Sequence, residues 1–151
     1  MALQKIHVSI ILVIATLVMV SALVSSLLTA SQTIPNTGDV RAIGVGVYSD
    51  SGCSQEVPTI QWGTLDPGET SDEIVYICNE GSVAVVLSMT TENWDPSLAS
   101  SYITLDWSLE EGYVLDPGES VRTVLTLSVS SSISGVESFN FDIIITGTES
   151  T

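Results

Sequence analysis

Apolar residues alternate with polar ones in seven short runs along this chain. Because successive side chains of a β-strand point to opposite faces of its sheet, each run predicts a strand with one buried face. The predicted inward-facing residues of the last three runs are Ile103, Leu105, Trp107 and Leu109, then Val121, Leu125, Leu127 and Val129, then Phe139, Phe141, Ile143 and Ile145. No helical pattern follows the first 30 residues.

Turn signals separate the runs. Asp66-Pro67-Gly68 recurs as Asp116-Pro117-Gly118, and both suit tight turns because proline restricts φ and glycine tolerates positive φ. Asn79-Glu80-Gly81 is a third turn, which predicts that residues 73–78 and 83–89 pair as an antiparallel hairpin. Strands and turns together predict an all-β fold. Specifically, we expect an immunoglobulin-like two-sheet β-sandwich of about seven strands, preceded by one N-terminal hydrophobic helix.

The N-terminal region contains a long apolar run. Residues 8–28 are interrupted only by serine and threonine, and Lys5 precedes them. A helix of this length can cross a bilayer, so residues 1–30 are either a signal peptide, cleaved near Ala30, or a retained anchor that holds the chain in the membrane. Both alternatives place the remainder outside the cytoplasm, since the flanking positive charge lies before the run.

Two segments follow the leader. Residues 31–39 are predicted to be an extended linker or donor segment, and residues 40–151 a β-sandwich domain. Residues 40–48 alternate with a period of two and predict one strand. Its apolar face consists of Ile43, Val45 and Val47, and its other face includes Gly44 and Gly46, which suggest a bulge or the close approach of another backbone.

The charge of the chain is strongly acidic. It has 18 Asp and Glu against 3 Lys and Arg, and only Arg41 and Arg122 lie beyond the leader. Nucleic acids and anionic membrane surfaces are therefore excluded as partners, because both require a basic face. A solvated acidic surface that keeps an exported protein soluble explains the charge.

Cys53 and Cys78 are the only cysteines. Thiols oxidise outside the cytoplasm, so we predict a disulfide between them, with two buried free thiols as the alternative. A zinc site is not expected, because the only histidine, His7, belongs to the leader.

No catalytic constellation is evident, and no cofactor is expected. Asp50-Ser51-Gly52 matches the short signature of aspartic proteases, but those enzymes need two such carboxylates, and this triplet is also ordinary turn sequence. Serine or cysteine hydrolase chemistry lacks a histidine base. Asp66 and Asp116 could bind Ca²⁺ at their turns, although EF-hand spacing is absent.

Several of these segments together resemble a known class of surface proteins. The leader, Ile34-Pro35-Asn36-Thr37-Gly38, Val45-Gly46-Val47-Tyr48, the stretch from Trp62 through Gly68, and Asn79-Glu80-Gly81 are similar to an archaeal family of surface β-sandwich proteins. The chain resembles, more loosely, subunits of archaeal bundling pili and threads and bacterial biofilm-matrix fibre proteins of the camelysin group. The resemblance implies polymerisation by donor-strand complementation, in which an N-terminal strand completes the sheet of the next subunit.

These observations predict a non-enzymatic structural protein at the cell surface, a filament or matrix-fibre subunit. Its partners would be other copies of itself or other surface proteins. The alternative is a membrane-anchored, monomeric binding or adhesion module. The predicted polymerisation strand contains Ile34, Val40, Ile43, Val45 and Val47, although the same strand could instead pair within its own domain.

Overall fold

The computed structural model describes residues 34–151, so the predicted leader, residues 1–30, and its apolar run lie outside the described residues. In the described part, nine strands form two sheets. The five-stranded sheet contains β1 (Ile34–Ile43), β3 (Thr59–Leu65), β5 (Val85–Asp95), β7 (Val114–Leu115) and β9 (Phe139–Glu149). The four-stranded sheet contains β2 (Gly46–Tyr48), β4 (Thr70–Cys78), β6 (Ile103–Trp107) and β8 (Ser120–Val129).

Strand order is β3-β1-β9-β5-β7 in the larger sheet and β2-β4-β8-β6 in the smaller one. A single 3-10 helix, Ser97–Ser101, follows β5 in this part of the chain. The all-β prediction and the two-sheet sandwich are therefore confirmed. Among residues 34–151, no helix has the length and apolar character needed to cross a membrane.

The core lies between the sheets, on the faces that the alternation predicted. All four predicted inward residues of β9 are buried, as are Leu125, Leu127 and Val129 of β8. Trp94 stacks on Phe141 of β9 with ring centroids 4.1 Å apart, which extends the core at one end. The prediction is less accurate for β6, where Ile103 is buried but Leu105 and Trp107 are only partly so.

The predicted hairpin between residues 73–78 and 83–89 is wrong. β4 belongs to the four-stranded sheet and β5 to the five-stranded sheet, so the chain crosses between sheets after Cys78 instead of folding back. The reason lies at Asn79, which the backbone of another turn holds: its N–H donates to the Glu119 carbonyl at 3.0 Å, and its carbonyl accepts from Gly118 N at 2.8 Å.

The predicted single strand at residues 40–48 is also wrong, because it is two strands in different sheets. β1 ends at Ile43, and β2 begins at Gly46 in the opposite sheet. Gly44 has φ of 74°, a left-handed conformation that ends the extended run. This break and the two-residue strand β7 account for nine strands where about seven were predicted.

Candidate functional site

The predicted donor segment lies in a slot between two strands of its own sheet. Residues 34–39, predicted as a linker or donor, form the first part of β1, which pairs antiparallel with β3 and parallel with β9. The β1–β9 ladder extends from Asn36 opposite Phe139 to Ile43 opposite Thr146, and it is the one parallel ladder among the described strands. The first described strand is thus held mainly by the last.

β1 buries few apolar groups in this slot. Its inward positions are Ile34, which is 1% exposed, then Asn36, Gly38 and the partly buried Val40. The Asn36 side chain is 5% exposed, and neither its Nδ2 nor its Oδ1 has a hydrogen-bond partner. Such a group costs about 1–3 kcal/mol, which offsets much of the gain from burying Ile34.

β1 joins the rest of the domain through Gly44 and Val45 alone, which we call the hinge. A Cβ on Gly44 would lie 3.0 Å from the Gly147 carbonyl oxygen, so both the positive φ and the space favour glycine. Val45 is buried in this crossing, and Val47 is buried in β2. The five predicted polymerisation residues are therefore divided among β1 (Ile34, Val40 and Ile43), the hinge (Val45) and β2 (Val47). The Ile43 side chain lies outside the described residues.

The chain after the hinge is firmly held. β2 pairs with β4 so that Gly46 lies opposite Cys78, and Val57 N donates to the Val47 carbonyl at 3.0 Å. Cys53 and Cys78 form a disulfide with Cα atoms 6.4 Å apart, which confirms the predicted pairing. A covalent bond therefore fixes the loop after β2 to the strand beside it, whereas β1 is held by noncovalent contacts.

Asp50 organises that loop. Its carboxylate accepts hydrogen bonds from the backbone N–H groups of Gln55 (2.8 Å), Ser54 (3.1 Å) and Gly52 (3.1 Å), and from the Ser54 hydroxyl (3.0 Å). Desolvation raises the pKa of the Asp50 carboxyl, but these hydrogen bonds outweigh it and lower the pKa below its ordinary value. The protease-like triplet thus forms a hydrogen-bonded turn.

We expect Asp50 to make the loop acid-sensitive. Because its folded-state pKa is depressed, its ionised form stabilises the fold above the unfolded-state pKa of about 4, and this contribution is lost as pH falls through the lower folded-state value. The difference in unfolding free energy between wild type and Asp50→Asn, measured with urea at several pH values from about 7 to about 3, should shrink below about pH 4. A difference that stays constant over this range would contradict the assignment.

A small cavity of about 280 Å³ lies beside the loop, lined in part by Tyr48, Glu56 and Glu80. The Tyr48 hydroxyl donates a hydrogen bond to the Glu80 carboxylate. This bond, then desolvation and the neighbouring negative charges, raises the pKa of Tyr48 to about 12, so the phenol stays neutral at physiological pH. In the part of the chain that the structure describes, no three His, Cys, Asp or Glu side chains are grouped to hold a metal ion.

Neither candidate calcium turn gathers such a group among the described residues. At the first turn, the Glu69 carboxylate accepts from the backbone N–H of Asp66 at 2.8 Å. The glycines of both turns, Gly68 and Gly118, have φ of 86° and 75°, as their turn roles require.

No protein-family model matches this sequence, and no curated protein is significantly similar to it. The resemblance to pilus and matrix-fibre subunits therefore stays a prediction, and the slot itself has to carry the functional argument.

Sequence reasoning missed the residues that shape the slot. Gly38 was interpreted as a turn residue, but it lies inside β1 and faces the core. Trp62 was interpreted as part of a neighbouring strand, and its indole Nε1 is buried in this region without a hydrogen-bond partner. The available signal was a glycine inside an extended segment, which indicates close approach by another group.

Proposed function

We propose that this chain is a non-enzymatic structural protein of the cell surface, a subunit that assembles into a filament or matrix fibre by exchanging β1 between copies. The observation that carries the proposal is the attachment of β1. It fills a slot between β3 and β9, yet it is connected to the sandwich only through the hinge. A second copy could supply the same strand to the same slot, as in domain swapping.

The contents of the slot support a low cost of opening. Exchange must pass through a state in which β1 has left, and the free energy of that state depends on what β1 buries. Of its inward positions, Gly38 contributes no side chain and Asn36 contributes an unpaired amide. β9, in contrast, contributes Phe139, Phe141, Ile143 and Ile145. β1 is therefore far easier to release than its neighbour.

The disulfide supports a location outside the cytoplasm, because such bonds persist in oxidising compartments. We also propose, from the strand number and the two packed sheets, that the sandwich is of the immunoglobulin-like type. The partners in this proposal are other copies of the chain or other surface proteins.

A second candidate is a membrane-anchored monomeric binding or adhesion module. The observation in its favour is that β1 pairs over its whole length with strands of its own domain, so a single copy already has a complete sheet. The two candidates differ in whether β1 exchanges.

Gly44→Ala is expected to increase exchange about tenfold. The substitution strains the closed monomer, because an L-residue at φ of 74° costs about 1–2 kcal/mol and its Cβ would crowd the Gly147 carbonyl. An exchanged strand leaves the hinge free to extend, which relieves the strain. Size-exclusion chromatography with light scattering, and electron microscopy of the same samples, would measure the assembled fraction.

Gly63→Ala is the matched control. Gly63 has φ of 77°, but it lies in β3 away from the hinge, and its Cβ would meet nothing within 4 Å. Its backbone strain is the same in closed and exchanged forms, so stability should fall without a change in assembly. If both variants only lose stability and stay monomeric, strand exchange is refuted and the monomeric module is favoured.

A further inference from the structure

Gly38 is the one core-facing position of β1 where the slot leaves no room for a side chain. Its Cβ, if present, would lie 3.1 Å from Trp62 Nε1, 3.3 Å from Ile143 Cδ1 and 3.6 Å from Phe141 Cζ. The first two distances are shorter than ordinary van der Waals contacts. All three atoms belong to β3 and β9, the walls of the slot.

The backbone gives no reason for glycine at this position. Gly38 has no positive φ, unlike Gly44 and Gly63, so any residue could adopt its conformation. A glycine inside a strand is also less favourable than alanine, because it loses more conformational freedom on folding. The requirement for glycine therefore comes from the shape of the slot.

A bulge in β3 shapes this part of the slot. Asn36 lies opposite Gly63 and Thr37 opposite Gln61, so Trp62 is the extra residue that the ladder skips. Its side chain is buried, with the indole against Gly38. The wall thus fills the volume that a side chain at position 38 would need.

We propose that Trp62 and Ile143 make the slot selective for a strand with glycine at this register position, and hence for β1 of a second copy of this chain. This inference rests on the proposed function, since it concerns which strand the slot accepts. The same contact fixes the register. A slip of one residue would bring Thr37 or Asp39 against Trp62, and a slip of two would bring Asn36 or Val40.

The test uses fluorescent peptides with the sequence of residues 34–45, incubated with the intact chain, and measures their co-elution with the protein. The wild-type peptide should incorporate by replacing β1. A Gly38→Val peptide should incorporate about tenfold less or worse, because overpacking of this kind is destabilising. A Thr37→Val peptide, altered at the adjacent position that does not face the core, should behave like wild type.

The wall variants complete the test. Trp62→Ala in the intact chain should reduce the difference between the wild-type and Gly38→Val peptides to about threefold or less, since the crowding ring is gone. Ile143→Val, which removes only the Cδ1 atom near Gly38, is the milder variant if Trp62→Ala does not fold, and it should reduce the difference partially.

The outcomes separate this inference from the proposed function. Equal incorporation of the wild-type and Gly38→Val peptides would overturn selectivity while leaving strand exchange intact. A difference that neither wall variant reduces would overturn the role of Trp62 and Ile143. If no peptide incorporates and Gly44→Ala also stays monomeric, strand exchange fails and this inference fails with it.

Discussion

Asn79→Ala is expected to lower the free energy of unfolding by about 3 kcal/mol. The side chain is 1% exposed and joins two segments that are distant in sequence. Its Nδ2 donates to the carbonyls of Val83 at 2.8 Å and Leu115 at 3.0 Å, and its Oδ1 accepts from the backbone N–H of Gly81 at 3.0 Å. Alanine leaves all three backbone groups without this partner, and burial keeps water from replacing it fully. Urea unfolding followed by tryptophan fluorescence measures the change.

Two variants define the cause of that loss. Asn79→Asp keeps an acceptor for Gly81 but loses the donor to Val83 and Leu115, so it should be nearly as destabilising as alanine. Asn140→Ala, at an exposed position of β9, should change stability by less than about 0.5 kcal/mol. If Asn79→Ala unfolds at the same urea concentration as Asn140→Ala, the network does not hold the crossing between the sheets.

Removing the disulfide should also cost about 3 kcal/mol in the chain-entropy model. The two cysteines are 25 positions apart, and their bond constrains the unfolded chain while fixing the loop after β2. The double variant Cys53→Ser and Cys78→Ser avoids leaving a single reactive thiol. Its unfolding midpoint in guanidinium chloride, compared with that of the oxidised wild type, measures the contribution.

Reduction provides an independent check. Wild type in excess reductant should unfold at nearly the same denaturant concentration as the double variant, because both lack the covalent closure. Ser51→Ala, an exposed substitution in the same loop, should leave the midpoint close to that of wild type. A double variant as stable as the oxidised wild type would show that the bond adds nothing to the fold.

The sequence predicts faces and turns well because each depends on nearby residues. Alternation places Phe141 and Ile143 inside, and Asp-Pro-Gly places turns at Gly68 and Gly118, each from a few neighbouring side chains. Strand partners are less accessible, because a period of two is the same whichever strand lies alongside. That is why β4 and β5 were expected to pair although they lie in different sheets.

The candidate site was predictable only in outline. The segment that forms β1 could be selected from its extended, weakly apolar sequence and its position after the leader. Its contact with Trp62 could not, because a bulge in a strand further along the chain creates that contact. Asn79 was expected to form a turn, and nothing local indicates that Leu115, 36 positions away, accepts a hydrogen bond from it.

The position of β3 limits how β1 could be replaced. β3 is an edge strand whose only ladder partner among the described strands is β1, so a subunit without β1 loses two ladders and leaves β3 isolated from the three remaining strands of its sheet. An empty slot would therefore be a short-lived, high-energy species. An incoming strand would have to displace β1 progressively, pairing with β3 and β9 as the resident strand leaves. Exchange would then be an associative reaction whose rate rises with subunit concentration.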